Sequence, residues 1–167
     1  MYRLLSSTVA ALSAMTILLG CGGDKSMSPE DLAPDTFEAQ VSGAINLSFQ
    51  GMASFSNQIG YFQLALLPAQ ANASNGLITL VRADAGIPAT GSYQVSEEAG
   101  SNFSLGFIGL FAYTAGQAGE TYISQSGTCT ITSSGTDHLK GSFNFTATSD
   151  AKTVTVSGQF HATSSPF

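Results

Sequence analysis

Phe37-Glu38-Ala39-Gln40-Val41-Ser42-Gly43-Ala44-Ile45-Asn46-Leu47-Ser48-Phe49-Gln50 places its apolar side chains on every second position. Phe37, Ala39, Val41, Ile45, Leu47 and Phe49 share one set with Gly43; Glu38, Gln40, Ser42, Asn46, Ser48 and Gln50 share the other with Ala44. A strand turns successive side chains to opposite faces, whereas a helix would return them every three or four positions. The stretch reads as a half-buried strand bent at Gly43.

The same grammar continues to the C-terminus. Further strands are expected at 52–56, 61–67, 77–82, 92–95, 103–114, 121–124, 128–132, 139–148 and 153–163. Turn residues separate them, among them Asn75-Gly76, Ser134-Gly135-Thr136-Asp137 and Ser149-Asp150-Ala151-Lys152. No segment has helical periodicity at useful length. Short strands with regular punctuation define an all-β fold, a single antiparallel β-sandwich or β-barrel-like domain of roughly eight to ten strands.

The last two strands sort their side chains most cleanly. Leu139, Phe143, Phe145 and Ala147 face one way, against Lys140, Ser142, Asn144 and Thr146. Val154, Val156, Phe160 and Ala162 oppose Thr153, Thr155, Ser157, Gln159 and His161. The two form a hairpin. The 103–113 stretch differs, because both its faces are apolar. Phe103, Leu105, Phe107, Phe111 and Tyr113 lie on one side; Ile108, Leu110 and Ala112 lie on the other. It is either a central strand covered on both faces or the lining of an apolar pocket.

Residues 1–20 have the build of a secretory signal. Arg3 is the only charge before Asp24, and an apolar run follows from Val9 to Leu19. That run is shorter than the ~20 residues of a spanning helix. Its end, Leu18-Leu19-Gly20-Cys21, resembles the lipobox of bacterial lipoproteins. The resemblance implies cleavage between Gly20 and Cys21 and a diacylglycerol on the Cys21 thiol, usually with acylation of the new amine. Each buried methylene contributes ~0.8 kcal/mol, so two or three chains hold a protein firmly. Gly22 follows the cysteine where some bacteria use Asp for inner-membrane retention, so the outer membrane is expected. The chain then divides into a signal peptide (1–20), a lipidated N-terminus with a flexible tether (21–35) and an all-β domain (36–167). Residues 22–35, fully extended, would reach ~45 Å.

The C-terminal hairpin is similar to one found in a group of small β-rich bacterial lipoproteins of unknown function. The matching stretches are Gly141-Ser142-Phe143-Asn144-Phe145-Thr146-Ala147 and Val154-Thr155-Val156-Ser157-Gly158-Gln159-Phe160. Gly91-Ser92-Tyr93 and Ser126-Gly127-Thr128-Cys129-Thr130-Ile131-Thr132 resemble earlier strands of that group. This chain departs from the pattern in having one residue, not two, between Val156 and Gly158, and in lacking tryptophan. The resemblance spans roughly residues 37–160, implies fold and location, and transfers no catalytic residue.

Composition narrows the function. Without Arg3, four basic residues (Lys25, Arg82, Lys140, Lys152) face eleven acids, which moves the net charge from −6 to −7. Such a chain has no basic patch for nucleic acid. Lipidation of Cys21 leaves Cys129 without an intrachain partner, and Cys129 shares a side with Ile131, as a small buried hydrophobe would. His161 sits on a polar strand face and His138 follows Asp137 in a turn; both are read as solvent-facing. No metal-ligand spacing and no Gly-x-Ser-x-Gly turn stands out. Glu97-Glu98 is read as a loop. The expectation is a non-enzymatic binding or structural domain without a cofactor, anchored to the membrane and facing an envelope protein or glycan. The alternative is a lipocalin-like carrier of a small apolar ligand.

Overall fold

The long alternating stretch is not one strand. In the computed structural model, which describes residues 28–69, 74–83, 86–101, 106–115 and 118–165, it folds back on itself at Gly43. Strand β1 (Thr36–Gly43) pairs antiparallel with β2 (Leu47–Gln58), Val41 opposite Leu47. Gly43 has φ +115°, and a Cβ there would stand 2.7 Å from the Thr153 carbonyl oxygen. Only glycine meets both conditions, so the bend becomes a reversal.

Among the described residues seven more strands follow: β3 (Tyr61–Pro68), β4 (Ser74–Arg82), β5 (Gly91–Val95), β6 (Gly106–Ala115), β7 (Ala118–Ser134), β8 (His138–Ser149) and β9 (Lys152–Ser164). They close a barrel in the order β1-β2-β3-β4-β6-β5-β7-β8-β9. The all-β expectation is met, by a sheet that is mixed and not purely antiparallel, since β2–β9 and β5–β6 run parallel where they pair. Several expected breaks are absent. The 52–56 strand is the second half of β2, and 121–124 and 128–132 fuse into the 17-residue β7. Register shifts between Ser124 and Ser126 and between Ile131 and Ser133 absorb the interruptions as bulges. Asn75-Gly76 is not a turn but part of β4. A Cβ on Gly76 would meet the Phe111 ring at 2.9 Å and the Phe49 ring at 3.1 Å, so the glycine makes room for two aromatics.

Two forks shape the ring. Near the rim carrying the β2–β3 turn, β2 and β9 pair directly, Ser54 opposite Thr163. Away from that rim they diverge and β1 fills the gap, Phe37 standing between Gly51 and Phe160. Asp35, at φ 62°, turns the chain into this fork, and its carbonyl accepts the Ala53 N–H at 2.9 Å. In the second fork β6 and β7 pair through Ile123, then separate around β5. At its apex the buried Ser124 Oγ accepts the Gly109 N–H at 2.9 Å. The chain leaves β5 through a short helix, α1 (Glu97–Ser101), whose Ala99 N–H donates to Ser96 Oγ at 3.0 Å. The Glu97-Glu98 pair therefore opens a capped helical turn instead of a loop; Ser96 before two acids was the available signal.

The barrel interior is one apolar cluster. Phe37, Phe55, Phe62, Phe107, Phe111, Phe145 and Phe160 are each exposed by 1% or less. The C-terminal hairpin faces as its alternation requires: Leu139, Phe143, Phe145 and Ala147 pack inward beside Val154, Val156, Phe160 and Ala162. Its turn is shorter than the four residues expected, because Ser149 and Lys152 are strand partners and only Asp150 and Ala151 lie between them. Asp150 adopts φ 51°, a conformation Asp tolerates.

Candidate functional site

Three regions bear on function: the aromatic interior, the upper rim carrying the β2–β3 and β7–β8 turns, and the outer wall.

Of the residues read as a possible pocket, Phe103 and Leu105 lie outside the described residues. Phe107 and Phe111 are fully buried, and Tyr113 is partly buried against the core. Phe107 meets Phe62 and Tyr93 edge-on, at 6.2 and 5.5 Å between ring centroids. Phe111 stacks on Phe49 at 6.4 Å and on Tyr113 at 6.2 Å, with Tyr122 tilted against it at 5.8 Å. At these spacings the rings are in mutual contact. The Arg82 guanidinium lies 5.2 Å from the Tyr93 ring centre and closes the upper end of this stack. A groove of about 330 Å³ lies on the outer side of β2 and β3, lined by Ser54, Ser56, Gln58, Gln63 and Ala65.

Residues 28–35, assigned to the flexible tether by sequence, lie against the upper half of the wall. A turn forms at Ser28, whose carbonyl accepts the Asp31 N–H at 2.8 Å. Glu30 then bridges two strands, bonding Lys140 Nζ at 3.1 Å and accepting from Thr132 Oγ1 at 3.3 Å. The Lys140 bond is the main cause that holds the Glu30 carboxyl below its usual range. Leu32 is buried, and its carbonyl lies 2.9 Å from His161 Nδ1. His161 is therefore half-buried beneath this segment, not solvent-facing. Thr163 donates its hydroxyl to Asp35. These long-range contacts joined no pattern along the chain, so sequence could not show them.

His138 keeps the solvent exposure expected of it, with 39% of its side chain accessible, but both ring nitrogens have partners. Its Nε2 lies 3.0 Å from Ser133 Oγ and its Nδ1 lies 2.8 Å from Asp137 Oδ1. The order carboxylate, imidazole, hydroxyl is that of a nucleophile-activating relay. Its surroundings differ from such a site. The Asp137 side chain is 87% exposed, so water screens the charge that would have to stabilise an imidazolium. The three residues flank a single hairpin turn, closed by the Gly135 N–H donating to the His138 carbonyl at 2.9 Å. The groove on β2–β3 is lined by none of them. The relay is accounted for as the staple of the β7–β8 turn. His138 holds the Asp137 carboxyl below its usual range.

Among the described residues, Cys129 and Tyr122 are sealed in the core and Glu120 is paired. Cys129 is fully buried beside Phe143, and burial pushes its thiol up to about 12. Tyr122, also buried, donates its hydroxyl to Glu120 at 2.6 Å, and Glu120 pairs with Lys152 at the lower rim. Among the described residues no group of three His, Cys, Asp or Glu side chains is arranged to hold a metal ion. No helix among them is long and apolar enough to cross a membrane. Gly20 and Cys21 lie outside the described residues. No protein family, curated protein or solved structure matches this chain.

Proposed function

We propose that this is a bacterial cell-envelope lipoprotein, anchored through Cys21 at the outer membrane, whose β-barrel binds a protein or glycan partner without catalysis. The observation that carries the anchoring is Leu18-Leu19-Gly20-Cys21 at the end of an apolar run, with Gly22 following. The barrel supports a binding role through its polar wall. Ser142, Asn144 and Thr146 on β8 stand beside Thr155, Ser157 and Gln159 on β9 in register, a sheet of hydroxyls and amides able to form adaptable hydrogen bonds. A carrier of a small apolar ligand would need open space beside Phe107 and Phe111, where neighbouring rings instead make contact.

The test is fractionation of cells producing the natural chain or Cys21→Ser. The natural protein should sediment with outer membranes, and the variant should lose that association. Native mass spectrometry of the extracted protein should then show the barrel alone or with a macromolecular partner. A stoichiometric small lipid or pigment would support the carrier instead.

A further inference from the structure

The groove on the outer side of β2 and β3 lies where short side chains stand between long ones. The register places Ser54 beside Ala65 and Ser56 beside Gln63. Gln58 and Tyr61 follow toward the β2–β3 turn; Met52 and Leu67, exposed by 61% and 46%, follow at the other end. The volume of about 330 Å³ is at the lower end of small-ligand sites. Ser56 shows that the groove is more than a gap over short residues. It is only 6% exposed, it lines the groove, and its hydroxyl has no hydrogen-bond partner among the described residues. A hydroxyl this deep costs stability unless something filling the groove bonds to it. The side chains of Ser54 and Gln63 are likewise without a partner among the described residues. Gln58 Oε1 accepts the Tyr61 hydroxyl at 2.8 Å, which leaves the Gln58 amide N–H groups to donate.

We propose that this groove binds a short neutral saccharide. The proposal rests on the binding role given above, to which it adds a site and a ligand class; it does not depend on the anchor at Cys21. Two hydroxyls and two amides bring donors and acceptors to one place, matching the mixed capacity of sugar hydroxyls. Ala65 adds a methyl group for the C–H face of a ring. Among the described residues that line the groove none is charged, and the Asp35 carboxylate nearby accepts the Thr163 hydroxyl, on the residue paired with Ser54. A charged ligand therefore finds no counter-charge in the lining. A peptide fits less well. Ser54 and Phe55 pair with β9, and residues 62–66 of β3 pair with β4, so an added strand would have to displace a neighbour. A docked helix would need apolar anchor pockets, and four of the five described lining residues are polar.

The experiment uses the mature protein isolated from cells and held in a detergent without a sugar headgroup. Trisaccharides of glucose, galactose and N-acetylglucosamine are offered at up to about 10 mM, well above a weak Kd of ~1 mM. Saturation-transfer NMR reads binding, and titration gives the Kd. At least one of the three should bind. Ser56→Ala removes a hydroxyl that bonds nothing in the protein, so it should leave the thermal midpoint unchanged and weaken binding roughly fivefold. Gln63→Ala should weaken it by a similar factor, and Ser157→Ala, on the β8–β9 wall, should not. Binding that both groove variants leave unchanged overturns this site while keeping a glycan as the ligand. Absence of transfer to all three trisaccharides overturns the proposal; a protein partner seen by native mass spectrometry would then keep the binding role without it.

Discussion

Replacing Phe160 with alanine tests the inward face of the closing hairpin. Phe160 is fully buried, stacks on Phe143 at 6.4 Å between ring centroids, and stands opposite Phe37 on β1 and Gly141 on β8. The truncation removes roughly 100 Å³ of side chain, and at ~24 cal/mol per Å³ an uncollapsed void costs about 2.4 kcal/mol. Lost transfer free energy adds to this, which brings the total to about 4 kcal/mol, within the usual range for a buried Phe. Collapse is limited, because strands on either side are held in ladder. With a urea m-value of ~2 kcal/mol/M, the unfolding midpoint of residues 28–167 should fall by about 2 M at unchanged slope. Thr155→Ala, on the outer face of the same strand, should cost under about 1 kcal/mol. Equal losses at the two positions would refute the assignment of faces.

Ser124→Ala should destabilise by about 1–3 kcal/mol, since it strands the Gly109 N–H at the apex of the β6–β7 fork; Ser126→Ala, on an exposed side chain, should not. Cys129 should react with thiol reagents only on unfolding, and rapid labelling of the native barrel would contradict its burial. Burial first, and the Glu120 bond second, push the Tyr122 hydroxyl up to about 12 from 10.0. A raised folded value means that its stabilising contribution is complete below pH 10 and is lost as pH rises toward 12, so denaturation midpoints should decline across that interval and Tyr122→Phe should flatten the decline. Ser133 should remain unmodified by a fluorophosphonate, and esterase turnover abolished by His138→Ala would show that the relay is more than a turn staple.

How far the sequence discloses this architecture depends on the range of the interaction. Alternation of Phe143 and Phe145 with Asn144 reports burial one residue at a time, so the inner face of β8 was legible. Gly43 was legible as a bend but not as a reversal, because the reversal depends on the Thr153 carbonyl over a hundred residues away. The fusion of two expected strands into β7 depends on bulges, which shift register without changing composition. The docking of Glu30 on Thr132 and Lys140 is carried by single polar contacts and leaves no periodic trace. The two apolar faces of β6 were visible in Ile108 and Leu110; that the outward face extends to Ile123 and Leu77 depends on strand order, which alternation does not encode.

The lipid proposed on Cys21 is open to direct measurement. Cells supplied with an alkynyl fatty acid, producing either the natural chain or Cys21→Ser, allow it to be read directly by intact mass and by the N-terminal peptide. The natural chain should yield a labelled mature protein beginning at Cys21 with its thiol carrying a diacylglycerol, and the variant should carry no label. A natural protein that begins elsewhere, or equal labelling of both chains, would contradict the proposed anchor.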